Sequence, residues 1–195
     1  MSPRTPEQNK DVREQKKALI METAMELFAK EGYYTTSINK IAKKAGIAKG
    51  LLYNYYKSKE DLLSSIIENG LHELANAFDK NHDGVLTDEE FIFFLEANFQ
   101  ALQENRTYWM LLFSLMLQPQ VQQIVMPKYQ NIINQFISIL ENYFENKGFE
   151  NPKMTALAFG AFMDGIAINF MMNPDMFPVE ELKDYIKATY MRIIK

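Results

Sequence analysis

The sequence predicts an all-α protein in which an N-terminal tri-helical helix-turn-helix domain precedes a larger C-terminal helical domain. Apolar residues recur every three or four positions along most of the 195 residues, which is the period of an amphipathic helix. Glycine, proline and short polar runs separate these segments, as expected where helices end. No stretch alternates between polar and apolar residues over the length of a strand.

The predicted helices follow one another with short connections. Two prolines in a polar opening predict a flexible arm over 1–10, and the first helix then runs to Gly32. The predicted helices cover about 12–31, 38–45, 48–55, 58–78, 88–104, 107–117, 119–146, 152–172 and 179–194. We expect the helix-turn-helix domain to span 11–57 and the C-terminal domain to span 58–195.

Charge is distributed unevenly along the chain. Residues 1–60 carry 12 Lys and Arg against 7 Asp and Glu, whereas residues 61–195 carry 9 against 18. A basic front end favours contact with nucleic acid. The chain has no cysteine, and we find neither a signal peptide nor an apolar run long enough to span a bilayer. These features predict a cytoplasmic protein that does not enter a membrane.

Residues 37–56 have the spacing of a helix-turn-helix. Their sequence, SINKIAKKAGIAKGLLYNYY, places two short helices around a Gly46-Ile47 turn, and such a motif presents its second helix to the major groove. The residues expected to pack inward are Ile38, Ile41, Ala42, Ile47, Leu52 and Tyr56. The residues left outside are Lys43, Lys44, Lys49, Gly50, Tyr53 and Asn54. Lysines bind phosphates, and a glycine lets the helix approach the groove closely. A three-helix module with a solvated lysine face and no DNA role is the alternative.

The run TTSINKIAKKAGIAKGLLYNYYKSKEDLL resembles the signature of the TetR (tetracycline repressor) family of bacterial transcriptional regulators, over about residues 13–67. The resemblance implies a homodimer that binds double-stranded operator DNA. It implies DNA contacts by Thr36, Ser37, Lys49, Gly50, Leu51, Tyr53 and Lys59, with Asn54 on the same face. Many members carry a small or hydroxyl residue where this chain has Leu51, whose side chain suits a thymine methyl group.

By the same resemblance, the C-terminal domain binds a ligand and forms the dimer. The last two helices would meet a second subunit, with Ala156, Gly160 and Ala167 allowing close approach. An unknown small-molecule effector would lie among Phe94, Trp109, Met110, Phe113, Met116, Phe136, Phe162 and Met163. A stripe of methionine and aromatic residues is equally typical of an ordinary core, so both interpretations stand.

Residues 79–90 match the 12-position loop of an EF-hand, which is not a TetR feature. The expected calcium ligands are Asp79, Asn81, Asp83, the Val85 carbonyl, Thr87 and Glu90, with Gly84 at the sharp turn. The simpler interpretation is a helix-helix turn in which Thr87 and Glu90 form a capping box. That interpretation does not explain the oxygen donors at the first, third and fifth positions.

The chain offers no catalytic constellation. It has two histidines and no cysteine, and we find no nucleophile elbow or glycine-rich phosphate loop. We therefore expect a protein that is not an enzyme, with no organic cofactor and with Ca²⁺ as its one inorganic ligand. The leading hypothesis is a ligand-responsive repressor. The alternative is a calcium sensor or buffer in which DNA binding is secondary.

Overall fold

The computed structural model describes residues 5–79, 81 and 83–191, and within these every predicted helix is present and no strand occurs. The α-helices are α1 (Pro6–Glu31), α2 (Ile38–Lys44), α3 (Lys49–Tyr53), α4 (Lys59–Phe78), α5 (Asp88–Glu104), α6 (Arg106–Met116), α7 (Pro119–Asn146), α8 (Pro152–Met172) and α9 (Val179–Tyr190). A single 3₁₀ turn, Pro174–Met176, lies between α8 and α9. The predicted all-α fold class is confirmed.

The first helix begins earlier than the sequence indicated. α1 starts at Pro6, and its N-terminus is closed by a reciprocal capping box in which Thr5 and Gln8 each accept from the other's backbone N–H. The prediction of an arm over 1–10 is therefore wrong for residues 6–10. Pro6 lies in the first turn of α1, where proline is favoured because the N–H that it lacks has no partner there.

The chain divides into two compact units. The N-terminal unit comprises Met1–Gly70 and Leu111–Met126, and the C-terminal unit comprises Leu71–Met110 and Pro127–Lys195. This division differs from the predicted boundary between 57 and 58. Part of α4 and a returning segment from α6 and α7 belong with the helix-turn-helix. The last boundary between the units falls within α7, at Pro127, which cannot donate the backbone hydrogen bond that a helix interior normally makes.

The core of the C-terminal unit is rich in aromatic rings. Phe91 stacks on Tyr143 with ring centroids 5.0 Å apart, and it also contacts Phe159 at 5.3 Å. Leu86, Leu95, Leu140 and Ile186 belong to the same buried cluster. Because α5, α7, α8 and α9 all contribute side chains to it, this cluster sets which face of each helix remains exposed.

Candidate nucleic-acid interface

The helix-turn-helix is closed by local hydrogen bonds. Ser37 caps α2 by accepting from the Lys40 N–H at 3.2 Å. Gly46 turns the chain with φ +67°, a left-handed conformation that suits glycine. The Ile47 N–H then donates to the Ala42 carbonyl at 3.0 Å. The chain after the turn is thereby directed into α3.

One face of α3 is buried and the other is exposed. Leu52 is fully buried, as are Ile41 and Ala42 of α2. Tyr56 is buried too, and its hydroxyl donates to the Lys17 carbonyl of α1 at 3.3 Å. Four of the predicted DNA contacts are exposed on the opposite side: Lys49, Gly50, Tyr53 and Asn54. Tyr53 keeps 46% of its surface accessible, and Leu51 is half-buried at the edge of this face.

Neither the backbone conformation nor the packing of the protein requires glycine at position 50. It lies in α3 without a positive φ, and a Cβ built on it would meet nothing within 4 Å. Glycine in a helix costs about 0.5–1 kcal/mol relative to alanine. The protein itself would therefore accommodate a Cβ at position 50, and its absence leaves the exposed side of α3 without a side chain there.

Thr36 does not face the predicted phosphate. Its side chain is completely buried, and its hydroxyl donates to the Gly32 carbonyl at 2.9 Å and to the Leu27 carbonyl at 3.3 Å. Because this hydroxyl is buried and bonded to main-chain carbonyls at the end of α1, it is not available to bind a DNA phosphate. The predicted DNA contact is therefore wrong, and Thr36 has a structural role. Ser37, one residue later, is exposed.

Lys59 is also held by the protein itself. Its ammonium donates to the carbonyls of Tyr33 at 2.9 Å, Thr36 at 3.1 Å and Tyr34 at 3.4 Å. Partial burial lowers the pKa of Lys59. An ammonium has three N–H donors, and here they face main-chain carbonyls. Lys59 therefore joins α4 to the turn before α2 and does not make the predicted contact with a DNA phosphate.

The end of α2 is tied to α1 by charge. Lys44 lies 2.8 Å from Glu26, which also pairs with Lys30 at 2.9 Å. The hydrogen bonds from these two lysines lower the pKa of Glu26 to about 2. Lys44, which the sequence placed on the open outward face, thus has an acidic partner on α1, whereas Lys49 lies on the exposed face of α3.

Sequence reasoning missed Gln118. Its side chain lies against α1, with Nε2 donating to the Phe28 carbonyl at 2.8 Å and Oε1 accepting from the Tyr33 N–H at 3.0 Å. These partners are 85 and 90 residues away in the chain. No local signal in the sequence points to such a contact.

The loop at 79–90 contains several features expected of an EF-hand. Gly84 adopts φ +77°, and its N–H donates to Asp79 Oδ2 at 3.0 Å. The other oxygen of this carboxyl, Oδ1, is buried without a hydrogen-bond partner. Asp83 accepts from the Val85 N–H at 2.8 Å. Lys80 and His82, which the sequence places between these residues, lie outside the described residues.

The carboxylates predicted to bind calcium are not gathered around one point. Glu90 Oε2 accepts from both the N–H and the hydroxyl of Thr87, and Thr87 caps α5 in return. Across the described residues 5–79, 81 and 83–191, no group of three or more histidine, cysteine or carboxylate side chains is arranged to hold a metal ion. The capping box that the sequence offered as the simpler interpretation is present.

The residues predicted to line the effector pocket are divided between the two units. Phe94 and Phe136 are in ring contact at 5.9 Å in the C-terminal core, and Phe162 and Met163 pack against the same cluster. Trp109 is buried and Met110 is exposed. Phe113 and Met116 fall in the N-terminal unit. An open cleft of about 300 Å³ lies instead between Gly84–Leu86 and the end of α7.

The predicted dimer helices have an exposed apolar face, but it is not the predicted one. Ala156 is fully buried beside Phe159 in the core of its own subunit, so the expectation that it meets a partner is wrong. The exposed apolar residues of α8 recur at helical spacing and comprise Met154, Leu157, Ala158, Ala161, Ile168 and Met172, and the exposed polar residues of the helix are Lys153, Asp164 and Asn169. Gly165 lies within this stripe, and a Cβ on it would meet nothing within 4 Å.

α8 is also long and apolar enough, by composition, to cross a membrane, contrary to the expectation that no segment would be. One such helix is weak support for a membrane span. Its inner face is explained by the buried Ala156, Phe159, Ile166 and Phe170, and its outer face has the character of a helix-helix contact.

Comparison with known proteins agrees with this geometry. Residues 20–66 match the family of bacterial regulatory proteins named tetR. The match takes in α2 and α3 together with the end of α1 and the start of α4. Proteins of the TetR family are DNA-binding transcription factors and not enzymes.

Sequence similarity to curated relatives covers only part of this chain, and the chain spans less than half the length of the relatives it matches. The HTH-type transcriptional regulator YuxN of Bacillus subtilis is 51% identical over 53 residues, which are 27% of this chain and 18% of that regulator. The likeness in fold extends further. The fatty acid degradation regulator FadR of Bacillus halodurans matches with a TM-score of 0.67 at 18% identity over 97% of both chains.

A second solved structure has a ligand. FadR of Bacillus subtilis, determined in complex with stearoyl-CoA, matches with a TM-score of 0.68 at 19% identity, over 91% of this chain and 99% of that one. At such identities the comparison shows that the TetR-like fold covers nearly the whole chain.

Proposed function

We propose that the protein is a transcriptional regulator that binds a palindromic operator as a homodimer and releases it when a small molecule binds to the C-terminal unit. The exposed face of α3 carries this proposal. Lys49, Tyr53 and Asn54 supply a cation, a phenol and an amide there, which are groups that bind phosphates and base edges. Gly50 between them leaves room for the groove.

The exposed stripe on α8 supports a dimer. Met172 retains 75% of its surface accessible and Leu157, Ala161 and Ile168 continue the same face. A regular apolar helix face exposed to water marks an interaction surface. Gly165 would let a second α8 approach closely, and a two-fold dimer places two recognition helices on the half-sites of a palindrome.

The effector is proposed to be apolar. Phe94, Phe136, Phe162 and Met163 meet in one cluster of the C-terminal unit, and ligand sites are lined mainly by aromatic and apolar side chains. The FadR structure with stearoyl-CoA offers one chemical class to test, namely long-chain acyl thioesters.

DNA selection tests the operator proposal. Binding of a selected palindrome is measured for the wild type, Lys49→Ala, Tyr53→Ala and Lys30→Ala. We expect the first two substitutions to weaken specific binding by about 1–3 kcal/mol. Lys30→Ala is the matched control because it removes the same charge from an exposed position paired with Glu26. If no duplex is enriched, or if all four proteins bind equally, the proposed interface is wrong.

We further propose that residues 79–90 bind calcium. The support is the 12-position pattern of oxygen donors, the left-handed Gly84 and the buried Asp79 Oδ1 that has no hydrogen-bond partner. An unpaired buried carboxylate oxygen is unfavourable, and a cation would satisfy it. Binding requires Glu90 to exchange its bond to Thr87 for bidentate coordination.

Calorimetry with calcium chloride tests this second proposal. Glu90→Gln retains an acceptor for the capping box, because glutamine serves at that position as well as glutamate does, but it removes the carboxylate ligand. Glu89→Gln makes the same change in charge outside the ligand set. We expect the wild type and Glu89→Gln to bind calcium and Glu90→Gln to lose binding. Absence of binding up to millimolar calcium, or equal binding by all three, would contradict the proposal. Calcium binding by a protein that selects no DNA would favour the sensor or buffer alternative.

A further inference from the structure

Gln118 belongs to the segment Leu111–Met126 of the N-terminal unit, and its side chain forms hydrogen bonds at the end of α1 and in the turn that follows. It lies between α6 and α7, and its own carbonyl accepts from the Gln122 N–H at 3.0 Å in the first turn of α7. Its side-chain amide forms two hydrogen bonds, one to the Phe28 carbonyl and one from the Tyr33 N–H. The amide therefore pairs with the main chain of α1 as a peptide group would.

Gln118 contacts the turn between α1 and α2, which leads directly into the helix-turn-helix. Tyr33 is buried, and its ring contacts Phe28 at 5.1 Å. Its carbonyl accepts from Lys59 at 2.9 Å. The turn before α2 is thus held from α4 through a carbonyl and from the α6–α7 junction through an N–H.

The other end of α6 is anchored as well. The Arg106 guanidinium donates to the Met171 carbonyl, with Nε at 2.7 Å, at the end of α8. Arg106 begins α6 and lies in the C-terminal unit, whereas Gln118 follows α6 and lies in the N-terminal unit. Each of the two side chains forms its hydrogen bonds with main-chain groups of its own unit.

We propose that Gln118 is a positioning residue that sets the placement of the helix-turn-helix and, through it, the spacing between half-sites that the dimer accepts. The inference rests on the proposed operator function. Gln118 itself contacts no DNA in this assignment. It acts by fixing the turn between α1 and α2. Its loss should therefore change the half-site separation that the dimer prefers, and should change the affinity for an individual half-site much less.

The test uses the full-length protein and a series of palindromes whose half-sites differ in separation by single base pairs. Each added base pair rotates one half-site by roughly 34° relative to the other. We expect the wild type to prefer one separation sharply. Gln118→Met, which keeps the length of the side chain and removes both hydrogen bonds, is expected to lose about tenfold in affinity for that palindrome and to discriminate less among separations. Binding to an isolated half-site should be unchanged.

A second variant tests whether the hydrogen bond from Gln118 to the Phe28 carbonyl is the cause of the effect. Gln118→Glu keeps the acceptor for the Tyr33 N–H but places a carboxylate oxygen against the Phe28 carbonyl. Once protonated, the carboxyl group donates as the amide did. The affinity of Gln118→Glu for the preferred palindrome, relative to the wild type at each pH, should therefore recover as the pH falls toward 5. This recovery would tie the effect to the hydrogen bond with the Phe28 carbonyl, and unchanged binding to an isolated half-site would distinguish it from a loss of folded protein.

Gln122→Met is the matched control, since Gln122 is exposed one turn further along α7, and it should behave as the wild type does. If Gln118→Met and Gln118→Glu keep the sharp preference of the wild type, the positioning role is wrong while the operator proposal stands. If the wild type selects no palindrome, the operator proposal itself fails. A uniform loss at half-sites and palindromes alike, without recovery at low pH, would also overturn the positioning role.

Discussion

The ammonium of Lys59 lies 2.9 Å from the carbonyl oxygen of Tyr33 and 4.4 Å from the centre of the Tyr33 ring. One side chain at the start of α4 thus holds both the main chain and the ring of a residue before α2. The resemblance to the TetR family had assigned this lysine to a DNA phosphate. In this chain its geometry serves the fold of the N-terminal unit.

Lys59→Met is expected to reduce the free energy of unfolding by about 1–3 kcal/mol, because the carbonyls of Tyr33, Tyr34 and Thr36 lose a common donor. Denaturant titration measures this change. Lys57→Met is the control, since Lys57 is an exposed lysine two residues earlier and its loss should leave stability within about 0.5 kcal/mol of the wild type. Unchanged stability in Lys59→Met, together with weaker DNA binding, would restore the phosphate contact.

Gly50→Ala is expected to affect stability and DNA binding in opposite directions. Alanine should raise the free energy of unfolding by about 0.5–1 kcal/mol, because it is the better helix former and its Cβ meets nothing within 4 Å. The same methyl group would lie between α3 and the groove, so affinity for the selected operator should fall. Thermal unfolding and a DNA titration on the same preparation measure both effects. If Gly50→Ala binds DNA as tightly as the wild type, the DNA groove does not approach the backbone of α3 closely at position 50.

Ala161→Glu is expected to dissociate the dimer. Ala161 is exposed in the apolar stripe of α8, and a second copy packed there would bury the new carboxylate without a partner. Sedimentation velocity at micromolar concentration measures the change. Ser138→Glu places the same charge on an exposed position of α7 and should remain dimeric. If both variants stay dimeric, α8 does not form the interface through this face.

The ion pairs between α5 and α9 predict a dependence of stability on pH. Glu96 lies 2.6 Å from Lys183 and 3.1 Å from Lys187. The hydrogen bond from Lys183 is the main cause that lowers the pKa of Glu96 below its usual value of 4.5, and the hydrogen bonds that Lys183 donates to Glu180 and Glu96 raise the pKa of Lys183. A carboxyl group whose pKa is lowered by folding stabilises the protein above its ordinary pKa, and this contribution is lost as the pH falls through the lowered value.

Glu96→Gln should therefore lower the free energy of unfolding at pH 7 and approach the wild type as the pH falls through the lowered pKa of Glu96. We expect about 1 kcal/mol at pH 7, because the Lys183 side chain is only 10% exposed but that of Glu96 is 43% exposed and partly screened. Denaturant titrations between pH 3 and 7 measure the difference. Glu181→Gln, at an exposed position of α9, is the control. A difference that persists unchanged at low pH would show that charge at Glu96 is not the cause.

The local sequence was sufficient for the helices and for the recognition face. Helix ends depend on signals within about four residues, such as the Ser37 cap and the left-handed Gly46. The period of apolar residues determined that Leu52 points inward and that Lys49 and Tyr53 remain exposed. The same reasoning failed at Pro6, where one residue suits both a helix start and a break.

Only the tertiary structure decided the roles that depend on distant partners. The Thr36 hydroxyl is turned inward by carbonyls of α1, and Lys59 is held by carbonyls 23 to 26 residues away. The face of α8 that remains exposed depends on which face meets the aromatic core, and this face differs from the one that small residues alone indicated. Gln118 meets its partners across 85 and 90 residues. A hydrogen bond between such distant residues leaves no periodic or local trace in the sequence, because chain folding alone brings its donor and acceptor together.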